Sequence, residues 1–216
     1  MKLLLAFALL LPMLSYAQVK NSLVGFQGIP WGSSMSAVKA KVPQVKEIDY
    51  CKAFDKFPSG GKTMKQRFQE EDSNCIHLYA ENYNVSAGVN YDLAFYFNQA
   101  GRLEQVTLSK YFKQEANPGY LSDCSAMYDR TGTLLTINYG NGAEPSNLSQ
   151  FKSSYNNVTG KLWVPMPTEI FLKKQSGFKL SQEENKSDLC QVEVMYSPRS
   201  ANKLWGSLHF SSYCRQ

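Results

Sequence analysis

Apolar residues in this chain alternate more often than they recur at helical spacing. The clearest run is Val89, Tyr91, Leu93, Phe95 and Phe97, which predicts a half-buried strand. Ile76, Leu78 and Ala80 predict a strand before it. Asn98-Gln99-Ala100-Gly101 supplies a turn, and a return strand follows over about 103–111. Leu103 and Val106 are out of phase there, which predicts a bulge or a late strand start. Two segments have helical spacing. Met35, Val38 and Val42 follow the N-cap candidates Ser33 and Ser34, and Pro43 stops them. Leu121, Cys124, Tyr128 and Leu135, with Thr131 between, form one stripe of a helix predicted near 119–137 and broken by Gly140 and Gly142.

Residues 44–74 have no clean period and read as a long loop, and the polar stretch 141–160 reads as a connector. Leu162, Val164, Met166, Ile170 and Leu172 alternate, but Pro165 and Pro167 cannot donate to a ladder. An edge strand or a broken pair of strands is expected. Cys190, Val192, Val194 and Tyr196 share one strand face, and Leu204, Leu208, Phe210 and Cys214 share another, which predicts a closing hairpin. The order of helix, strands, helix, strands describes an α+β protein with a mostly antiparallel sheet and two main helices. A single domain over 18–216 is expected, with two halves of similar element order at 25–112 and 119–214.

The first 17 residues change how the rest is read. Lys2, the apolar run from Leu3 to Leu11, and Ser15-Tyr16-Ala17 have the form of a signal peptide cut after Ala17. Gln18, not Cys, follows the cut, which argues against a lipid anchor. No later apolar run is long enough to span a membrane, so a periplasmic or secreted protein is expected. An apolar content of 43%, with 13 Tyr and 12 Phe, supports a sheet-rich core. A net charge of +5 is too small to point to nucleic acid.

An oxidising compartment makes disulfides the leading reading of the five cysteines. Placing Cys190 opposite Cys214 in the predicted hairpin keeps Val192, Val194 and Tyr196 on one side with Phe210 and Leu208, which predicts a Cys190–Cys214 bridge. Cys51–Cys75 is the natural second pair, and by the chain-entropy estimate it contributes roughly 3 kcal/mol. Cys124 is then left as a buried free thiol in the helix. With no C-x-x-C and only His77 and His209, no metal and no cofactor are expected.

No motif here carries catalysis convincingly. Gly60-Gly61-Lys62-Thr63 resembles the end of a phosphate loop, but Lys56 stands where that loop needs Gly. Ser36-Ala37-Val38-Lys39 fits S-x-x-K without the S-D-N and K-T-G elements that accompany it in acylating enzymes. His77 and His209 lie opposite their apolar strand neighbours, so each is expected to face solvent or a polar layer. The 51–75 segment is more informative. Lys52, Lys56, Lys62, Lys65 and Arg67 interleave with Phe54, Phe57, Met64 and Phe68, and Glu70, Glu71 and Asp72 follow. A long aperiodic loop closed by a disulfide suits binding. Lys52, Phe54, Lys56, Phe57, Lys62, Lys65, Arg67 and Phe68 are the candidate binding residues. The competing reading is a solvated loop with its phenylalanines packed on the sheet and its bases neutralised by the acidic trio.

The run Phe26-Gln27-Gly28-Ile29-Pro30-Trp31-Gly32-Ser33-Ser34, leading into a helix with Val38-Lys39, resembles the opening of small, uncharacterised bacterial exported proteins. Gly101-Arg102-Leu103-Glu104-Gln105-Val106, Tyr139-Gly140 and Pro145 extend the likeness over about 26–145. The resemblance implies a bacterial envelope setting and an α+β module, and no catalytic residue. The expected function is a non-enzymatic periplasmic binding protein, an inhibitor or immunity protein for another envelope or secreted protein. The alternatives are an envelope hydrolase with a site not visible in sequence, and a small-ligand carrier.

Overall fold

The alternating segments pair into one antiparallel sheet in the computed structural model, which describes residues 23–53, 63–86, 89–145, 157–178 and 188–199. The predicted signal peptide, residues 54–62 and Cys214 lie outside the described residues. A small hairpin, β1 (Gly25–Phe26) and β2 (Ile29–Pro30), precedes helix α1 (Met35–Lys41). β3 (Lys46–Asp49), α2 (Tyr50–Ala53) and α3 (Met64–Glu70) follow. Next come β4 (Ile76–Ser86), β5 (Val89–Phe97) and β6 (Leu103–Lys113), then α4 (Tyr120–Tyr139). β7 (Val158–Trp163), β8 (Thr168–Phe178) and β9 (Leu189–Pro198) complete the described chain. The fold is α+β with a mostly antiparallel sheet, and no described helix is long and apolar enough to cross a membrane.

The seven strands run in the order β3-β4-β5-β6-β9-β8-β7. β4-β5-β6 and β7-β8-β9 are each meanders, and the last strand of one pairs with the last strand of the other. Each meander comes after a helix, so the two halves of the sequence meet at the centre of one sheet. α4 carries the chain from the central strand β6 to the far edge strand β7.

Period-2 alternation places Leu78, Leu93, Phe95, Val106, Leu108, Val192, Val194, Ile170 and Leu172 on the face beneath α4, all fully buried. The β5–β6 register shifts between Tyr96 and Phe97, so Phe97 meets Leu103 and Phe95 meets Val106. Both out-of-phase residues, Leu103 and Val106, therefore reach the core. α4 buries Tyr120, Cys124, Gly132 and Leu135. Leu121, expected on that stripe, is 48% exposed in the first turn of the helix. At Gly132 a Cβ would lie 3.5 Å from Leu172, so helix and sheet approach closely there.

The opening turn and the β5–β6 hairpin touch each other. Gln27 and Gly28 turn with positive φ (46° and 76°). Gly32 N–H donates to Leu103 O and Leu103 N–H to Ser33 O, each at 2.9 Å. Trp31 Nε1 donates to Thr168 Oγ1 at 2.8 Å, and Thr168 Oγ1 donates to Leu23 O. Ser34 caps α1 as its position predicts, accepting from Ala37 N–H at 3.3 Å.

Three expectations are corrected. Cys190 is bonded to Cys124, with Cα atoms 6.1 Å apart, so neither a Cys190–Cys214 bridge nor a free Cys124 exists. The reason is topological. β9 is hydrogen-bonded to β6 on one edge and β8 on the other, which leaves no edge for a strand over 204–214. Cys190 then faces α4, where Cys124 lies directly above. The break at 164–167 joins two strands, and the phase changes across it: Trp163, not Leu162, shares a face with Ile170 and Leu172. Val164 and Met166 are exposed in that turn, beside the cis Met166–Pro167 bond. Finally, residues 46–53 and 64–70 are ordered as β3, α2 and α3, not loop. Short polar elements leave no detectable period, although the capping box Thr63…Gln66 was a readable helix start.

Candidate functional site

Beyond Asp49 the β3–β4 ladder continues as two clasps. Tyr50 N–H donates to Cys75 O at 2.9 Å, and Cys51 is bonded to Cys75 with Cα atoms 5.2 Å apart. Asp49 Oδ1 accepts from Lys52 N–H at 3.0 Å, which starts the one-turn helix α2. The chain re-enters at α3 through a capping box. Thr63 Oγ1 accepts from Gln66 N–H at 3.2 Å, and Gln66 Oε1 accepts from Thr63 N–H at 2.9 Å.

α3 lies on the sheet face opposite α4. Its anchor is Phe68, only 1% exposed, whose ring lies 5.5 Å from that of His77. The end of α3 is tied to the β5–β6 turn. Ser73 N–H donates to Phe68 O, Asn74 N–H donates to Phe97 O, and Gln99 Nε2 donates to Gln69 O, each at 2.8 Å.

Strand phase places His77 on this second face, but it does not meet solvent or a polar layer. Tyr50, Phe68 and Tyr96 surround its ring at 4.7, 5.5 and 4.6 Å, and the residue is 1% exposed. Nε2 donates to Asn74 O at 2.7 Å. Burial lowers the imidazole pKa from 6.5 to about 4, so the ring is neutral at pH 7. It acts as an aromatic wedge between α3 and the sheet.

Above this wedge an open cavity of about 590 Å³ is lined from four directions. β3 and α2 contribute Asp49, Cys51 and Lys52, and α3 contributes Lys65, Phe68 and Gln69. The entry to β4 contributes Ser73, Asn74, Cys75 and Ile76, and the β5–β6 turn contributes Gln99. Of the candidate binding residues, Lys52, Lys65 and Phe68 therefore meet here. Arg67 is half-buried on α3 and does not line the cavity. Phe54, Lys56, Phe57 and Lys62 lie outside the described residues.

Phe68 packs on the sheet as the competing reading of this segment expects, so it forms a floor and not an exposed anchor. Lys52 and Lys65 are exposed, and among the described residues neither ammonium group has an ion-pair partner. Asn74 Oδ1 accepts from Ile76 N–H at 2.9 Å, which leaves its NH₂ as the donating end of the amide. Sequence reasoning missed Asp49, Asn74 and Gln99. Asn74 beside Cys75 was the readable signal, since Asn favours such local side-chain-to-backbone turns.

A second polar cluster lies farther along the same face. Lys173 and Glu193 are directly opposed on β8 and β9, both buried, with Nζ 2.5 Å from Oε2. Gln191 on β9 donates to Tyr111 Oη at 3.1 Å. This pair satisfies its own charge and lines no part of the cavity. Among the described residues no group of three or more His, Cys, Asp or Glu is placed to hold a metal ion. No protein-family model, curated protein or solved structure matches this chain.

Proposed function

We propose that this is an exported, non-enzymatic binding protein that engages another envelope or secreted protein through the disulfide-framed end of its sheet, as an inhibitor or immunity protein would. The observation that carries this reading is the pair of ammonium groups, Lys52 and Lys65, with no ion-pair partner among the described residues, held on one cavity by the Cys51–Cys75 bond and by buried Phe68. The clamp removes loop entropy before binding, so less is lost on association. Two bonded cysteine pairs are compatible with an oxidising location outside the cytoplasm, and cleavage after Ala17 would deliver the chain there. Catalysis receives less support: His77, the one histidine among the described residues, is neutral and enclosed by three rings.

The test is co-purification from envelope extract with the mature protein and with a Lys52→Met/Lys65→Met variant. One specific partner, held by the first and lost by the second, is the expected result. Absence of any specific partner for the mature protein overturns the reading. A small-ligand carrier is the second reading, because the cavity volume falls within the ~300–1,000 Å³ of small-molecule sites. Native mass spectrometry of the purified protein would reveal retained ligand in that case.

A further inference from the structure

The chemistry of the cavity narrows what its occupant can be. Lys52 and Lys65 stand on separate elements, α2 and α3, and each element is fixed to the sheet independently. Cys51 is bonded to the entry of β4, immediately before Lys52. Phe68, one turn after Lys65, is buried on His77. Two positive charges that repel each other are thus held on one concavity by covalent and apolar anchors. Among the described lining residues the one carboxylate, Asp49, is engaged by the Lys52 backbone N–H at the start of α2. The described lining thus sets two ammonium groups against one carboxylate, with an Asn74 amide donor that has no acceptor among the described residues, above the apolar floor of Phe68.

From this we infer that the cavity receives an acidic side chain, Asp or Glu, from an extended segment of the partner protein. Its carboxylate would lie between the Lys52 and Lys65 ammonium groups and accept from the Asn74 amide. Its methylene stem would lie on Phe68. Ammonium donors with a neutral amide suit a carboxylate, because charge-assisted hydrogen bonds are the stronger kind and both lone-pair sets are served. An apolar floor adds selectivity for a carboxylate on a short carbon stem over a bare ion. A volume of about 590 Å³ accommodates the side chain together with neighbouring backbone. This inference rests on the binding reading above and specifies its chemistry.

The test titrates the intact, disulfide-bonded mature protein with acetyl-Glu-Gly-Glu-amide, its Gln counterpart and inorganic phosphate, at low ionic strength, by amide NMR. The Glu peptide is expected to shift residues 50–53 and 65–75 saturably, and the Gln peptide is expected to leave them in place. Lys52→Met and Lys65→Met keep the aliphatic stem and are expected to weaken Glu-peptide binding about tenfold each, the loss of one charged hydrogen bond. The variants should keep the parent melting temperature, since both side chains are exposed. Equal binding of the Gln peptide, or unchanged affinity in both variants, overturns the inference. So does phosphate producing the same shifts at equal affinity, which would mark a general anion site. A partner co-purified equally well by the double variant would overturn this inference and leave the binding reading intact. Glu-peptide binding without any envelope partner would do the reverse.

Discussion

The two disulfides sit in opposite environments, and removing each should have a different consequence. Cys124 and Cys190 are 0% and 1% exposed, between α4 and the centre of the sheet. Cys51 and Cys75 are half-buried and line the open cavity. Thiol–disulfide exchange requires a thiolate to reach a sulfur atom, so a dithiol reductant should open Cys51–Cys75 in the native state and leave Cys124–Cys190 closed until the protein unfolds. The energetic cost runs the other way. The bridges close spans of 24 and 66 residues, worth about 3 and about 4 kcal/mol by chain entropy. Cys124→Ala/Cys190→Ala also empties sulfur-sized volume from the core, which adds about 1–2 kcal/mol. The total of about 5–6 kcal/mol is a large share of a domain's marginal stability. With an m-value near ~2.5 kcal/mol/M, the urea midpoint should fall by about 2 M. Cys51→Ala/Cys75→Ala leaves no core void and should lower it by only about 1 M. The β3–β4 ladder should persist, because four register pairs hold it without the bridge. Graded reduction, alkylation and peptide mapping measure the order of opening, and urea melts of the two double variants measure the cost. Opening of Cys124–Cys190 at the same or lower reductant, or a non-reduced map linking Cys190 to Cys214, would refute the reasoning.

Protonation of His77 should couple stability to pH. Its folded pKa lies below its unfolded value, so the unfolded chain binds the extra proton first; stability should hold above pH 6.5 and fall by about 3 kcal/mol on descending to about pH 4. Urea melts across this range should show the slope in the parent and lose it in His77→Phe, and an unchanged slope would exclude His77 as its source. Lys173→Met should destabilise by about 3–5 kcal/mol by stranding Glu193, and Lys173→Met/Glu193→Met should recover much of that loss in a double-mutant cycle; additive losses would contradict a coupled buried pair. Gly142→Ala should cost about 1–3 kcal/mol in thermal melts, because the new Cβ would lie 2.5 Å from the Trp163 ring, whose Nε1 is already committed to Gly140 O. A neutral result would show that the 140–142 turn yields freely.

How far the sequence could be read depended on whether an element carried a period. β5 and α4 bury one face each, so alternation and helical spacing mark them along many residues. α2 has four residues and α3 seven, and their structure comes from contacts outside themselves: the Cys75 clasp, the His77 wedge and the β5–β6 turn. No local pattern can record such contacts. His77 illustrates the same limit. Its phase correctly assigned it to the second face, but whether that face was wet depended on Phe68, nine residues away in another element.

The cysteines draw the line most clearly. Composition and spacing made 51–75 the natural short closure, and strand phase rightly put Cys190 on the apolar side of its strand. Phase gives the direction of a side chain and not the identity of the element above it. Pairing β9 between β6 and β8 turned that strand into an interior one, and only then did α4, and Cys124, become the neighbour of Cys190. By itself the amino-acid order determined the α+β class, the principal strands, the two main helices and the basic segment worth examining. The tertiary structure decided which cysteines bond and which lysines of that segment share a cavity. Those outcomes depend on long-range pairing across the sheet, which local hydrophobic periodicity does not encode.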